Sequence, residues 1–330
     1  VPVLDTRGRM VAIASPTNDS FTVGSHRVGK DQPTFVIAEI GNNHQGNVDL
    51  AKQLVDLAVE AKADCVKFQL RDMDALYRGA SGKITAGEDL GAQYTLDLLT
   101  RFSLSAPKMI EVFDHCRDKG IDIMCTPWDL PSLEVLLEYG IDGLKIASAD
   151  LTNHALLTAA AKENLPMIVS TGMSTEDEIK ESVALLRRYG APYALLQVQS
   201  TYPAPFKDLN LRYMQRLAEI GDCPVGYSGH ERGYHIPMAA VALGASVIEK
   251  HFTIDRNLEG NDHKVSLLPD EFAAMVRQIR DVEASLGTAE ARVVAPGEFM
   301  NRANLAKSLV AARDIKSGER ITADAVDVKS

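Results

Sequence analysis

The sequence predicts an α/β protein built on a (β/α)8 barrel, a TIM barrel, and three observations point there. Short β-branched runs alternate with amphipathic helical segments about eight times over roughly 250 residues. The helical segments keep their apolar residues on one face, as in 47–63, where Leu50, Leu54, Leu57, Ala58 and Ala61 recur at helical spacing. Every candidate strand carries a polar residue at or near its C-terminal end, and the C-terminal strand ends are where a barrel collects its chemistry. The competing architecture is a doubly wound open sheet, but no GxGxxG follows the first strand run.

Residues 1–33 are polar and turn-rich, with β-like pieces at 9–15 and 20–28 that read as a hairpin preceding the barrel. The barrel domain is expected over 34–287. Its strand candidates are TFVIAEIG (34–41), DCVKFQL (64–70), DIMCTP (122–127), GLKIAS (143–148), PMIVST (166–171), YALLQVQST (193–201), CPVGYSG (223–229) and SVIEKHF (246–252). Among the helices, 174–190 should be opened by Ser174 as N-cap and closed by Gly190. After the last barrel helix, 269–287, a linker (288–304) leads to a β-like tail (305–330) too short to hold its own core. That tail reads as the first part of a small second domain, and Val1 in place of Met suggests trimming at the other end.

Composition narrows the function classes. A net charge of −10 offers no general attraction to nucleic acid or to an anionic membrane, so an anionic ligand needs a local basic site. No apolar run approaches the roughly 18 residues of a membrane span. The four cysteines have no metal-like spacing and fit reduced thiols in a cytoplasmic protein.

The strand ends supply Glu39; Lys67 and Gln69; Thr126; Lys145, Ser148 and Asp150; Ser170 and Thr171; Ser200 and Tyr202; Ser228 and His230; and Glu249 and His251. Singly, each has a bland reading: a helix-capping serine, a lysine reaching for water, a satisfied core histidine. Together, two lysines with several hydroxyls make an anion pocket of phosphate type. Two histidines on neighbouring strands with carboxylates nearby suit a divalent metal. In SVIEKHFT, Glu249 and His251 share the face of Val247, while Lys250 points away and should pair outside the barrel. His26 and His235 show no partner, His115 and His154 read as solvent-facing, and His44 stands where it could shape the mouth.

The ordered motifs FVIAEIGNNHQGN, CVKFQ, CTPWD, GLKIASAD, VSTGMS, QSTYPAPF, GYSGHERG and IEKHFTIDRNLEGNDHKVSL resemble the N-acetylneuraminate (sialic acid) synthase family over about residues 34–330. The resemblance implies condensation of phosphoenolpyruvate with an N-acylated hexose to a nine-carbon 2-keto sugar acid and phosphate. It makes His230 and His251 ligands of a divalent ion, Mn²⁺ first, with Mg²⁺ or Co²⁺ as alternatives. Lys67, Thr126, Lys145, Ser148, Ser170, Ser200 and Ser228 would hold phosphoenolpyruvate. Glu39, Gln69, Tyr202 and Asp262 would face the acceptor sugar, and Glu39, Asp150, Lys145 and Glu249 would take part in the chemistry. Ser200 stands where the family can have Asn, and Asp150 where it can have Glu. The tail resembles the start of an antifreeze-like (SAF) domain, and the chain stops before an arginine that reaches the sugar in the family. A homodimer is expected. A legionaminate or spore-coat sugar-acid synthase is the enzymatic alternative, and an inactive sugar-binding barrel the non-enzymatic one.

Overall fold

A computed structural model describes residues 19–76 and 96–330, together with the backbone of 2–4 and 10–13. It divides into two compact units, 1–286 and 287–330.

The first unit opens with strands β1 (Pro2–Leu4) and β2 (Met10–Ile13), which pair with each other. Strands β3 (Ser20–Val23) and β4 (His26–Gly29) then form a hairpin of their own around Gly24-Ser25. The expected pairing of 9–15 with 20–28 is therefore corrected: the second piece holds its own turn, and residues 9, 14 and 15 lie outside the described residues.

The barrel strands are β5 (Phe35–Gly41), β6 (Cys65–Leu70), β7 (Asp122–Pro127), β8 (Gly143–Ile146), β9 (Met167–Ser170), β10 (Tyr193–Val198), β11 (Val225–Gly229) and β12 (Val247–His251). They close into one eight-stranded parallel barrel in chain order, as a (β/α)8 fold requires. The connecting helices are α1 (Val48–Glu60), α2 (Met73–Leu76), α3 (Leu96–Phe102), α4 (Ala106–Lys119), α5 (Leu130–Tyr139), α6 (His154–Lys162), α7 (Glu176–Tyr189), α8 (Tyr213–Gly221), α9 (His235–Ala242) and α10 (Pro269–Leu286). The N-cap of α7 is Thr175, not Ser174, because Glu178 sits three residues after Thr175 and completes a capping box. Gly190 closes that helix in the left-handed conformation as expected.

Period-two alternation divides β5, β6, β7, β9, β10 and β12 between two cores. Outward residues such as Val36, Val66, Ile123, Val169 and Ile248 pack under the helices in the larger apolar cluster. Inward residues Phe35, Ile37, Cys65, Met124, Ile168, Ala194, Leu196 and Val247 fill the lower barrel, where the β3–β4 hairpin adds Phe21, Val23 and Val28. Asp122 fastens that hairpin: its carboxylate accepts from Ser25 N at 3.0 Å and lies 2.7 Å from His26 Nδ1. His26, which showed no partner in sequence, is thus an anchor of the barrel floor.

In the second unit, α11 (Pro296–Leu305) occupies much of the segment read as linker. It precedes an antiparallel pair, β13 (Ser308–Ala311) and β14 (Val326–Lys329). Among the described residues, no helix is long and apolar enough to cross a membrane.

Candidate active site

Above the apolar floor the inward residues turn polar. On β5 and β6 the same face runs Phe35, Ile37, Glu39 and Cys65, Lys67, Gln69, so alternation alone carries these side chains into the mouth. Lys67 Nζ lies 2.7 Å from Glu39 Oε2, 4.0 Å from Glu249 Oε2 and 3.4 Å from Thr126 Oγ1. Lys145 Nζ donates to Ser170 Oγ at 2.6 Å and to the Ile146 carbonyl at 3.0 Å. Ser228 Oγ donates to Glu249 Oε1 at 3.0 Å. Both ammonium groups are buried, at 4% and 3% exposure, which is tolerable only because carboxylates and hydroxyls surround them.

Burial and neighbouring charge set the protonation states. Burial pushes the Glu39 carboxyl up to about 7, against the pull of Lys67 and with a further push from Glu249. Burial acts the same way on Glu249, but Lys145 and Lys67 outweigh it and hold that carboxyl below its ordinary value. Burial brings Lys145 down to about 8, opposed by Glu249 and assisted by Lys67. Lys67 is held above its ordinary value because Glu249 and Glu39 outweigh its burial. Burial raises Asp150, whose Oδ1 accepts from Asn153 Nδ2 at 3.0 Å.

A second cluster stands at the ends of β11 and β12. Tyr202 stacks on His230 with ring centroids 4.0 Å apart, and His230 and His251 lie 5.4 Å apart. His230 Nδ1 faces the Gln199 carbonyl at 2.7 Å and therefore carries the proton. Its Nε2 keeps the lone pair, toward which Tyr202 OH donates at 2.8 Å. Burial takes both histidines down to about 3, so both are neutral near pH 7. His251 Nδ1 is buried without a hydrogen bond, 3.9 Å from Asp262 Oδ2.

This donor set fits the divalent ion expected from the sequence. Two neutral imidazoles, one with a fixed tautomer and one with an orphaned buried nitrogen, are what such an ion takes from a protein while keeping water or substrate. Among the described residues, no group of three His, Cys, Asp or Glu converges on one point.

Further orphaned polar atoms mark the space a ligand would fill: Glu249 Oε2, Asp150 Oδ2 and Ser200 Oγ are buried without hydrogen bonds. Ser148 and Ser200 meet over Gly172, where an added Cβ would lie 2.8 Å from Ser148 Oγ and 2.3 Å from Ser200 Oγ. Glycine is what lets those hydroxyls approach the strand end.

Arg71 and Trp128 were not singled out in the sequence. The Arg71 guanidinium lies 4.3 Å over the Trp128 ring and donates to Gln69 Oε1 at 2.5 Å and Asn42 Oδ1 at 3.3 Å. Gln69 Nε2 in turn donates to Glu39 Oε1 at 2.7 Å. Arg71 continues the Lys67–Gln69 parity by two residues, a signal that would have found it. His44 is buried, with Nδ1 accepting from Gly46 N at 3.1 Å, and it packs near Phe68 on the outward face. His263 lies 2.7 Å from Thr253 Oγ1, and His115 2.8 Å from Asp56.

Residues 54–291 match the NeuB family. The N,N'-diacetyllegionaminic acid synthase of Campylobacter jejuni is 40% identical over 295 residues, covering 87% of this chain and 87% of that protein. The N-acetylneuraminate-9-phosphate synthase of Homo sapiens is 36% identical over 309 residues, covering 92% of this chain and 84% of that protein. Among solved structures, the N-acetylneuraminic acid (sialic acid) synthetase of Leptospira borgpetersenii, in complex with citrate, aligns with a TM-score of 0.76 at 34% identity. It covers 87% of this chain and 97% of that one. A match over most of the barrel, with relatives aligned over nearly their whole length, means that the chain belongs to the NeuB family.

Proposed function

We propose that this synthase condenses phosphoenolpyruvate with an N-acylated amino hexose and water, giving a nine-carbon 2-keto-3-deoxy sugar acid and inorganic phosphate. The observation that carries the reading is the pair of buried ammonium groups, Lys67 and Lys145, among hydroxyls at the mouth of an otherwise acidic chain. Lys67, Lys145, Thr126, Ser148, Ser170, Ser200 and Ser228 hold the phosphate and carboxylate of phosphoenolpyruvate. Gln69, Tyr202 and Asp262 contact the acceptor. His230 and His251 would hold a divalent ion, Mn²⁺ in the first instance, which would supply Lewis-acid polarisation of the acceptor carbonyl.

The enol double bond of phosphoenolpyruvate gives its electron pair to the acceptor aldehyde carbon, forming the new C–C bond as the carbonyl π pair moves to the aldehyde oxygen. That alkoxide takes up the proton later released by the attacking water, and C2 is left cationic. The Glu249 carboxylate, held ionised by both lysines, stabilises that charge. Water adds at C2, and Glu39, poised at about 7, takes its proton. Asp150 is the alternative base. The C2–O bond then breaks, and phosphate leaves with the bonding pair.

Phosphoenolpyruvate labelled with ¹⁸O at its bridging oxygen should deliver the label to phosphate, in a reaction that requires both an N-acyl hexosamine and Mn²⁺. An acceptor panel separates a sialic-type from a legionaminic-type substrate, the latter favoured by the Campylobacter relative. No phosphate release with any acceptor would point to the sugar-binding alternative. Near-normal turnover in both Glu39→Gln and Asp150→Asn would sink the base assignment.

A homodimer accompanies this reading, supported by apolar side chains left exposed in the second unit, among them Met300, Leu305, Leu309 and Ile321. We read that unit as the start of an antifreeze-like domain and place the protein in the cytoplasm, which the four free cysteines favour.

A further inference from the structure

The outward face of the barrel carries a buried polar network directly behind the two histidines. Tyr227, Glu231 and Lys250 are fully buried. Lys250 Nζ donates to Glu231 Oε1 at 2.8 Å, to the Glu231 carbonyl at 2.5 Å and to the Gly229 carbonyl at 3.2 Å, so all three ammonium donors are satisfied. Tyr227 OH donates to Glu231 Oε2 at 2.6 Å. A Cβ on Gly229 would lie 2.7 Å from Glu231 Oε2, so the carboxylate can fold back over the strand only because glycine stands there.

None of these groups faces the mouth, and replacing a buried ion pair by apolar residues is often neutral or stabilising. Stability alone therefore does not account for it. Its placement does: the two carbonyls that Lys250 grips belong to the residues on either side of His230, and Lys250 itself precedes His251. In the β11–β12 register Lys250 stands opposite Gly229, so one ammonium ties together the backbone carrying both imidazoles.

We infer that Tyr227, Glu231 and Lys250 form a positioning network that fixes the separation of His230 and His251, and thereby the affinity and geometry of the divalent-ion site. The inference rests on the metal reading given above. The three residues touch neither substrate nor ion. They act as outer-shell partners of metal ligands act, although through the main chain rather than through the ring nitrogens.

The test is metal binding by the purified full chain, without turnover. Free Mn²⁺ is followed by electron paramagnetic resonance in wild type, Lys250→Met, Lys250→Arg, Glu231→Gln and Tyr227→Phe. Lys250→Met and Glu231→Gln should weaken Mn²⁺ binding by about 10- to 100-fold, with the Co²⁺ d–d absorption changed in position or intensity. Metal-free binding of phosphoenolpyruvate should stay within about twofold of wild type, since its lysines and hydroxyls lie on the inward face. Lys250→Arg, which keeps the charge but not the compact ammonium, should recover only part of the affinity. Should Lys250→Met fail to fold, Tyr227→Phe and Glu231→Gln carry the test. Loss of less than about fivefold in whichever of Lys250→Met, Glu231→Gln and Tyr227→Phe fold, against the 10-fold floor for outer-shell partners, overturns the inference. An equal loss of phosphoenolpyruvate binding does so too. A wild-type chain that binds neither Mn²⁺ nor Co²⁺ would instead bring down the metal reading, and this inference with it.

Discussion

The two ends of the barrel are made from the same strands and differ in kind. At the floor, Phe35, Ile37, Cys65 and Val247 meet Phe21, Val23 and Val28 of the hairpin in a dry cluster. Two to four residues further along the same faces stand Glu39, Lys67, Glu249 and His251. The floor has polar groups as well, but they are satisfied: Asp122 takes hydrogen bonds from Ser25 and lies against His26. At the mouth, Glu249 Oε2, Asp150 Oδ2, Ser200 Oγ and His251 Nδ1 are buried without them. The floor holds the fold, and the mouth keeps polar capacity for something that is not protein.

That contrast is broken most sharply at Lys67. Lys67→Met removes the ammonium between Glu39 and Glu249 and should lower kcat/KM for phosphoenolpyruvate by at least about 10³-fold, or roughly 4 kcal/mol. Far-ultraviolet circular dichroism should be unchanged, because Lys67 is not among the residues of the floor cluster. A variant that unfolds, or one that keeps its activity, would erase the distinction between the ends.

The opposite change belongs to the hairpin. Val23 is fully buried in the floor cluster, and Val23→Ala deletes two methyl groups there. Unfolding in urea should show a loss of about 2 kcal/mol, from about 0.8 kcal/mol per buried group plus the cavity. KM for phosphoenolpyruvate should not move. A shifted KM with unchanged stability would mean that the floor and mouth are coupled.

How far each end could be read from sequence follows from the range of its interactions. The mouth was legible because period-two alternation is local: once Lys67 and Gln69 are on a strand, their shared face follows. The same rule put Lys250 outside, but its partner Glu231 depends on the register of β11 against β12. The floor was harder. SFTVGSHRV has the composition of a single β-like piece, and only the left-handed backbone at Gly24 (φ 52°) turns it into a hairpin. The His26–Asp122 contact spans 96 residues of sequence, and no local pattern announces it. The helix start at Thr175 in place of Ser174 follows from Glu178, whose carboxylate accepts from Thr175 N at 2.7 Å.

A smaller effect, of about tenfold per pH unit, tests whether the mouth sacrifices stability for function. Catalysis as proposed needs Glu39 ionised and Lys145 charged. The kcat/KM for phosphoenolpyruvate should therefore rise as pH passes about 7, where Glu39 loses its proton, and fall above about 8, where Lys145 loses its charge. Stability runs the other way. Glu39 has a folded value raised from 4.5 to about 7, so its contribution is fully present below 4.5 and is lost as pH rises through 7. Lys145 has a folded value lowered from 10.5 to about 8, so its contribution is present above 10.5 and is lost as pH falls through 8. Between 7 and 8 both groups are charged and buried together, and the site is least stable where it is most active. Thermal melts of wild type against Glu39→Gln isolate the carboxyl: the wild type should lose ground by up to about 1.4 kcal/mol per pH unit as pH rises from 4.5 through 7. A difference that stays flat over that window, or grows in the wild type's favour, would show that burial does not raise the Glu39 carboxyl.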